Sequence, residues 1–229
     1  MRSKGRIIVI TAGPGHKGVA CLPPSRERER THLREDPLAS VRYFIGVLVV
    51  VSLPPAILWW FLVHPFVGFW KRFGARATMV TMISLTVVLV LALVFVRTTL
   101  IGPDLGTSWP MVALAAVLMT AGATVAIKRK RLLTTRILMG MPELEGDAGN
   151  LLTEGPYAVI RHPRYVEVML FTFGYACFSN YVGAYVVAVL ALPLLHAVVL
   201  LEERELAERF GSAYDAYRSR VPRYLPRWR

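Results

Sequence analysis

The residues best suited to chemistry are the run Arg161-His162-Pro163-Arg164-Tyr165 and, further along, the pair Glu202-Glu203. Both lie at the edge of apolar runs, where charge and imidazole are costly unless they bind something. Pro163 suits the first position of a helix, since its missing donor would go unused there and its fixed φ is already helical. The start of such a helix offers free backbone N–H groups to an anion. Arg161 adds a fixed cation that can grip a carboxylate or phosphate with two prongs. Glu202 and Glu203 call for a compensating partner, which is either the arginine or a ligand's ammonium or hydroxyl groups. Tyr157, Tyr165, Tyr214 and Tyr217 offer ring faces to a cation. The plainer alternative is an arginine at the headgroup boundary, a helix-capping histidine and an exposed interfacial acid pair. No Cys/His grouping suggests a metal, and neither a phosphate loop nor a Ser/His/Asp arrangement is present. His196 is read as bonded inside a helix bundle rather than catalytic.

The elements that must position these residues are membrane helices. Hydrophobic residues make up 55% of the 229, and mean hydropathy is +0.47. Apolar runs at 41–63, 77–96 and 109–127 approach the roughly 20 residues that span hydrocarbon. The runs 166–178 and 182–201 are split by Ser179-Asn180-Tyr181 and read as a helical hairpin, because one unbroken helix would overrun a core of about 30 Å. The expected fold is all-α and polytopic, with about five transmembrane helices and a C-terminal amphipathic helix. Residues 1–40 form a loose or disordered arm, 41–127 three transmembrane helices, and 128–229 a ligand-binding region with a transmembrane hairpin and an interfacial tail.

Net charge is +12. The basic residues flank apolar spans, so membrane lipid headgroups are the expected partner and nucleic acid is not. Lys71, Arg72 and Arg76, the run from Lys128 to Arg131, and the arginine-rich tail place three loops on the cytoplasmic side. Five spans then put the basic N-terminal arm outside, a conflict that leaves its side open. Cys21 and Cys177 lie in the arm and in a span, too far apart for a disulfide. Over 202–219, Leu206, Phe210, Tyr214 and Tyr217 fall on one face of a helix that closes over the site, with Gly211 bending it.

Gly155-Pro156-Tyr157, Arg161 to Tyr165, Glu202-Glu203-Arg204-Glu205-Leu206, Phe210-Gly211, Tyr214, Tyr217 and Val221 to Pro226 together resemble the isoprenylcysteine carboxyl methyltransferase family and the related phospholipid methyltransferases. The resemblance covers about residues 149–226. It implies an integral-membrane enzyme with a cytoplasmic-facing pocket for S-adenosylmethionine and a lipid or hydrophobic acceptor entering from the bilayer. Carried over by position, Asn150, Leu151, Leu152, Tyr157, His162, Pro163, Arg164, Tyr165 and Glu202 are cofactor contacts, and Arg161 and Glu203 the catalytic residues. A helix N-terminus with His162 would suit the cofactor carboxylate, and Glu202 its ammonium or hydroxyls. Two departures stand out: Glu167 where the family often has glycine, and Val198 where the prenylcysteine enzymes carry a substrate-facing arginine. The competing readings are an NADPH-dependent reductase of the sterol reductase type, which shares an Arg-His-Pro-x-Tyr turn, and a non-enzymatic membrane protein.

Overall fold

The structure, a computed structural model, describes residues 36–63, 66–130, 132 and 151–227. The expectations for residues 1–35 of the arm and for Asn150 lie outside the described residues. The helices are α1 (Ala39–Val63), α2 (Val67–Lys71), α3 (Gly74–Phe95), α4 (Arg97–Ile101), α5 (Trp109–Lys130), α6 (Pro163–Ser179), α7 (Val182–Phe210) and α8 (Ser212–Arg220), with a 3-10 turn at Gly155–Ala158. Among the described residues, four helices (α1, α3, α5 and α7) are long and apolar enough to cross a membrane. The fifth expected span, α6, has 17 residues, about 25 Å of helix. The fold is all-α and membrane-like, as the apolar runs predict.

Small residues decide where the helices touch. Without a hydrophobic force between them in lipid, helices associate by close packing, and small side chains let backbones approach. Ala184, Ala188 and Ala191 form a stripe on α7 that is at most 1% exposed. It packs against Val49, Leu53 and Ile57 of α1 and Ala176 and Tyr165 of α6. On the α5–α6 seam, a Cβ at Gly174 would stand 2.7 Å from Met119 Cγ, and one at Gly122 3.3 Å from Phe171. By contrast α3 turns most of its surface outward, burying only Thr78 and Met82. Its outward Val, Ile, Leu and Phe side chains suit contact with acyl chains rather than protein.

The hairpin turn forms at the predicted place. Asn180 adopts the left-handed conformation, φ +54°, which asparagine tolerates better than most residues. Its amide donates to the Gly106 carbonyl at 2.8 Å and its Oδ1 accepts from the Tyr185 hydroxyl at 2.9 Å. At the start of α7, any side chain at Gly183 would meet the Leu100 carbonyl at 1.9 Å, so glycine is required there. Arg42 at the beginning of α1 donates to the Ser179 carbonyl at 3.1 Å and pairs with Asp104. The first helix therefore starts beside the hairpin turn, and Trp60 near its other end meets Tyr165 at the start of α6. This places the beginning of α1 at the opposite end of the helix bundle from Arg161.

The tail differs from the single amphipathic helix predicted over 202–219. The helix of the last span runs on without a break to Phe210. Gly211, at φ +52°, breaks it, and α8 folds back separately. Tyr214 and Tyr217 of α8 are buried, so this face packs on protein.

Candidate functional site

The start of α6 and the far part of α7 face each other. Pro163 is the first residue of α6 and His162 its N-cap position, as the sequence predicts, but the His162 side chain does not cap the helix. Instead its Nε2 lies 2.9 Å from Glu203 Oε1, which fixes the proton on that nitrogen as donor to the carboxylate. Arg161 donates through Nη2 to the same oxygen at 2.9 Å and through Nη1 to the Arg218 carbonyl at 2.8 Å. Arg223, which the sequence reading did not single out, closes the cluster by donating from Nε and Nη2 to both Glu203 oxygens, at 3.0 and 2.7 Å. One carboxylate thus holds three cationic or proton-donating side chains from two segments, the entrance to α6 and the tail. Burial alone would push the Glu203 carboxyl up; hydrogen bonds from His162 and Arg223 and the charge of Arg161 outweigh it and hold the group well below the usual carboxylate range.

α7 continues to Phe210, so the acid pair, at the edge of the apolar run, stands within the helix and its compensation comes from these neighbours. The backbone joins in as well. Arg161 and His162 donate their N–H groups to the carbonyls of Pro222 and Arg223 at 2.8 and 3.2 Å, strapping the tail along the entrance to α6. The Tyr217 hydroxyl donates to the Tyr157 carbonyl at 2.7 Å, pinning α8 to the 3-10 turn. Burial pushes the Tyr217 and Tyr214 phenols up to about 12, so both stay protonated.

Glu202 behaves differently from its neighbour. Its Oε2 is buried with no hydrogen-bond partner among the described residues, and His162 Nδ1 is 3.9 Å away. Tyr157 is held protonated first by burial and then by the Glu202 charge, with Arg129 and Arg164 opposing. Arg164 lies over the Trp60 ring at 4.8 Å from its centroid. Leu151 and Leu152 are half-buried just before the turn. Four buried side-chain atoms lack partners among the described residues: Arg129 Nη1, Arg161 Nε, Glu202 Oε2 and the Tyr214 hydroxyl. Glu202, Arg161 and Tyr214 form one electrostatic neighbourhood with Glu203, and Arg129 shares Tyr157 with Glu202. All four belong to this end of the molecule.

Beside the polar cluster, a cavity of about 530 Å³ opens between α5, α6 and α7, walled by Leu118, Met169, Phe173 and Leu195. Tyr165, His196 and Tyr224 also line it, and His196 Nδ1 lies 2.8 Å from the Tyr224 hydroxyl. His196, set aside on sequence, is thus a polar group in an apolar chamber. Its only signal was a histidine within a span. Val198, the position of the missing arginine, is fully buried among Leu53, Ile57 and Tyr165 and puts no charge into this space. Glu167 is occupied by Arg129, through Nε to Oε2 at 2.7 Å and Nη2 to Oε1 at 3.0 Å.

Residues 109–213 match the family model described as phospholipid methyltransferase. That stretch runs from the start of α5 into α8 and contains Arg161, His162, Glu202 and Glu203. The C-terminal half resembles the membrane methyltransferases. Among curated proteins, the chain is 31% identical over 77 residues to the protein-S-isoprenylcysteine O-methyltransferase of Schizosaccharomyces pombe, covering 33% of each chain. It is 36% identical over 78 residues to the cobalt-zinc-cadmium resistance protein CzcN of Cupriavidus metallidurans, covering 34% of this chain and 36% of that one. The nickel-cobalt-cadmium resistance protein NccN of Alcaligenes xylosoxydans is 31% identical over 77 residues, covering 34% of this chain and 36% of its own length. The matched stretch spans about a third of the length of each relative. No solved structure matches the chain.

Proposed function

We propose that this protein is an integral-membrane methyltransferase that takes S-adenosylmethionine from the aqueous side and methylates a lipid or hydrophobic acceptor arriving from the bilayer. The observation that carries the reading is the gathering of unpartnered buried polar atoms where α6 begins and α7 leaves the membrane. A buried polar group without a partner costs about 1–3 kcal/mol, more when charged. Several at one place amount to binding capacity held open for a ligand. The matching of residues 109–213 to methyltransferases supports the choice of ligand.

The donor set fits the cofactor. S-adenosylmethionine supplies a methyl group on a sulfonium sulfur, ready for in-line displacement without metal or covalent intermediate. Glu202 Oε2 has the charge and vacant lone pairs for the ammonium or ribose hydroxyls. The protonated rings of Tyr157 and Tyr165 offer π-faces to the sulfonium. Pro163, Arg164 and the Leu151-Leu152 segment form the surrounding wall, with Asn150 proposed to extend it. Arg161 and Glu203, expected as catalytic, are proposed instead as positioning residues, because their bonding capacity is mostly taken up by each other and by His162, Arg223 and Arg218. They lock the start of α6 to α7 and the tail, so that Glu202 and the tyrosines are held in place before binding, which is where positioning lowers the barrier.

The cavity of about 530 Å³ is proposed as the acceptor chamber; its size falls within the range of small-molecule pockets, roughly 300–1,000 Å³. Its apolar walls suit a hydrocarbon chain, and His196 with Tyr224 offers the polar end of the acceptor a hydrogen-bonding partner. The basic loops put the site on the cytoplasmic face in this reading. Incubating the purified protein with a membrane lipid extract and a radiolabelled methyl donor tests it: label moving into the organic phase, lost in Glu202→Gln, supports the function. Binding of NADPH in place of S-adenosylmethionine would instead establish the reductase alternative.

A further inference from the structure

Within that reading one requirement is unmet. The cofactor's amino-acid portion carries a carboxylate, and the groups that the sequence assigns to it are committed elsewhere. The His162 ring faces Glu203 and its amide donates to the Arg223 carbonyl. Arg223 spends both prongs on Glu203, and Arg161 has only its Nε left. Arg164 is stacked on Trp60.

We infer that Arg129, aimed by Glu167, receives the ligand's carboxylate, with Glu202 holding the opposite charge of the same amino-acid group; the inference rests on the methyl-donor reading. Arg129 stands in the last turn of α5 with its side chain 6% exposed, and Glu167, one turn into α6, is 13% exposed. The two-pronged pair uses Nε and Nη2. Nη1 remains, buried and without a partner among the described residues. A guanidinium matches a carboxylate better than any other side chain, and one edge is already fixed in orientation by Glu167. Tyr157 lies within electrostatic reach of both Arg129 and Glu202.

The geometry ties Arg129 to the turn that carries Tyr157. Gly155, at φ +57°, lies so close to Leu132 that a Cβ there would stand 2.8 Å from its Cδ1. Leu132, two residues beyond α5, thus packs directly against the 3-10 turn. Glu167, a departure from the glycine usual in the resembling family, acquires a role: it neutralises a cation that would otherwise be buried alone, and it sets the direction of Nη1. Glu167 is a positioning residue in this account, and Arg129 the contact.

Calorimetry with S-adenosylmethionine and with its decarboxylated form, which keeps the sulfonium and the ammonium, tests the assignment on purified full-length protein. In the double variant Arg129→Met/Glu167→Met both charges go together, so no lone charge is left buried and folding is preserved. S-adenosylmethionine should bind at least about tenfold more weakly to it, the loss of a charge-assisted pair. The decarboxylated form should bind within about twofold of the parent. Glu167→Gln should lose part of the same preference. Arg129→Lys, which keeps the charge and loses the fork, should fall between parent and double variant and carries the test if the double variant melts early. Equal loss for both ligands, or loss for neither, overturns the role of Arg129 and leaves the methyl-donor reading standing. A parent protein that binds neither ligand overturns both.

Discussion

The two ends of the α6–α7 hairpin carry polar clusters of similar burial and opposite completeness. At the turn, Arg42 pairs with Asp104, donates to the Ser179 carbonyl, and lies over the Tyr181 ring. Asn180 is bonded to Gly106 and Tyr185, and the Gly106 amide donates to Asp104 at 2.8 Å. No side-chain atom of that cluster is among the buried unpartnered ones. At the other end, Glu203 is saturated while Glu202, Arg129, Arg161 and Tyr214 each keep an atom without a partner among the described residues. The first cluster is a clasp, whose bonds exist to hold α1, the loop after α4 and the hairpin together. The second combines a clasp with unused capacity. Burial and charge do not separate the two; completeness does.

The comparison is broken most forcefully at Glu203. Glu203→Gln leaves Arg161 and Arg223 facing a neutral amide in a buried cluster, and should destabilise the protein by about 3 kcal/mol or more while abolishing cofactor binding, read by melting in detergent and by calorimetry. Asp104→Ala is the matching change at the turn. It strips Arg42, whose side chain is 1% exposed, of its counter-charge and should cost a similar stability, about 3 kcal/mol. The cofactor Kd of the folded fraction should stay within twofold. A tenfold change there would mean that the far cluster is coupled to the site and the division into clasp and site fails.

Glu202→Gln should do the reverse of Asp104→Ala. Affinity for S-adenosylmethionine falls at least about tenfold, or 1.4 kcal/mol, while the melting temperature holds, since the Glu202 side chain is 30% exposed and its Oε2 has no partner among the described residues. The smallest effect is on pH. Glu203 has a folded pKa below its unfolded value, so its contribution is present above the ordinary carboxylate pKa of about 4.3 and is lost as pH falls from there toward the depressed folded value. The melting temperature of the parent should therefore drop between about pH 5 and pH 3 by more than that of Glu203→Gln. Equal slopes would show that the Glu203 pairs contribute nothing.

Much of the architecture was legible because lipid leaves few choices: apolar runs of the right length must be helices, and Ser179-Asn180-Tyr181 had to turn. The meeting of Arg161 and His162 with the acid pair followed from the hairpin, since antiparallel neighbours bring the start of one helix to the end of the next. What the sequence hid were contacts between elements far apart in the chain. Arg129 looked like one of several topogenic lysines and arginines, and Glu167 only like a departure from the family pattern; the α5–α6 packing at Gly122 and Gly174 makes them a pair. Arg223 lay in a proline-broken tail with no periodicity. The division of labour between Glu202 and Glu203 was equally invisible, because adjacent helical positions point in different directions and only the neighbours' positions decide which carboxylate is spent. Helix continuation past the pair also escaped notice, as polarity there signalled an end to the span and not to the helix.

The central claim is that the entrance of α6 and the extension of α7 form one receptor for a zwitterionic sulfonium compound. Titrating S-adenosylmethionine into the detergent-solubilised protein and its Glu202→Gln variant by calorimetry tests it most directly. The account predicts micromolar binding to the parent and at least tenfold weaker binding to the variant, with both proteins folded. Absence of binding to the folded parent, or identical affinity in the two proteins, would contradict it.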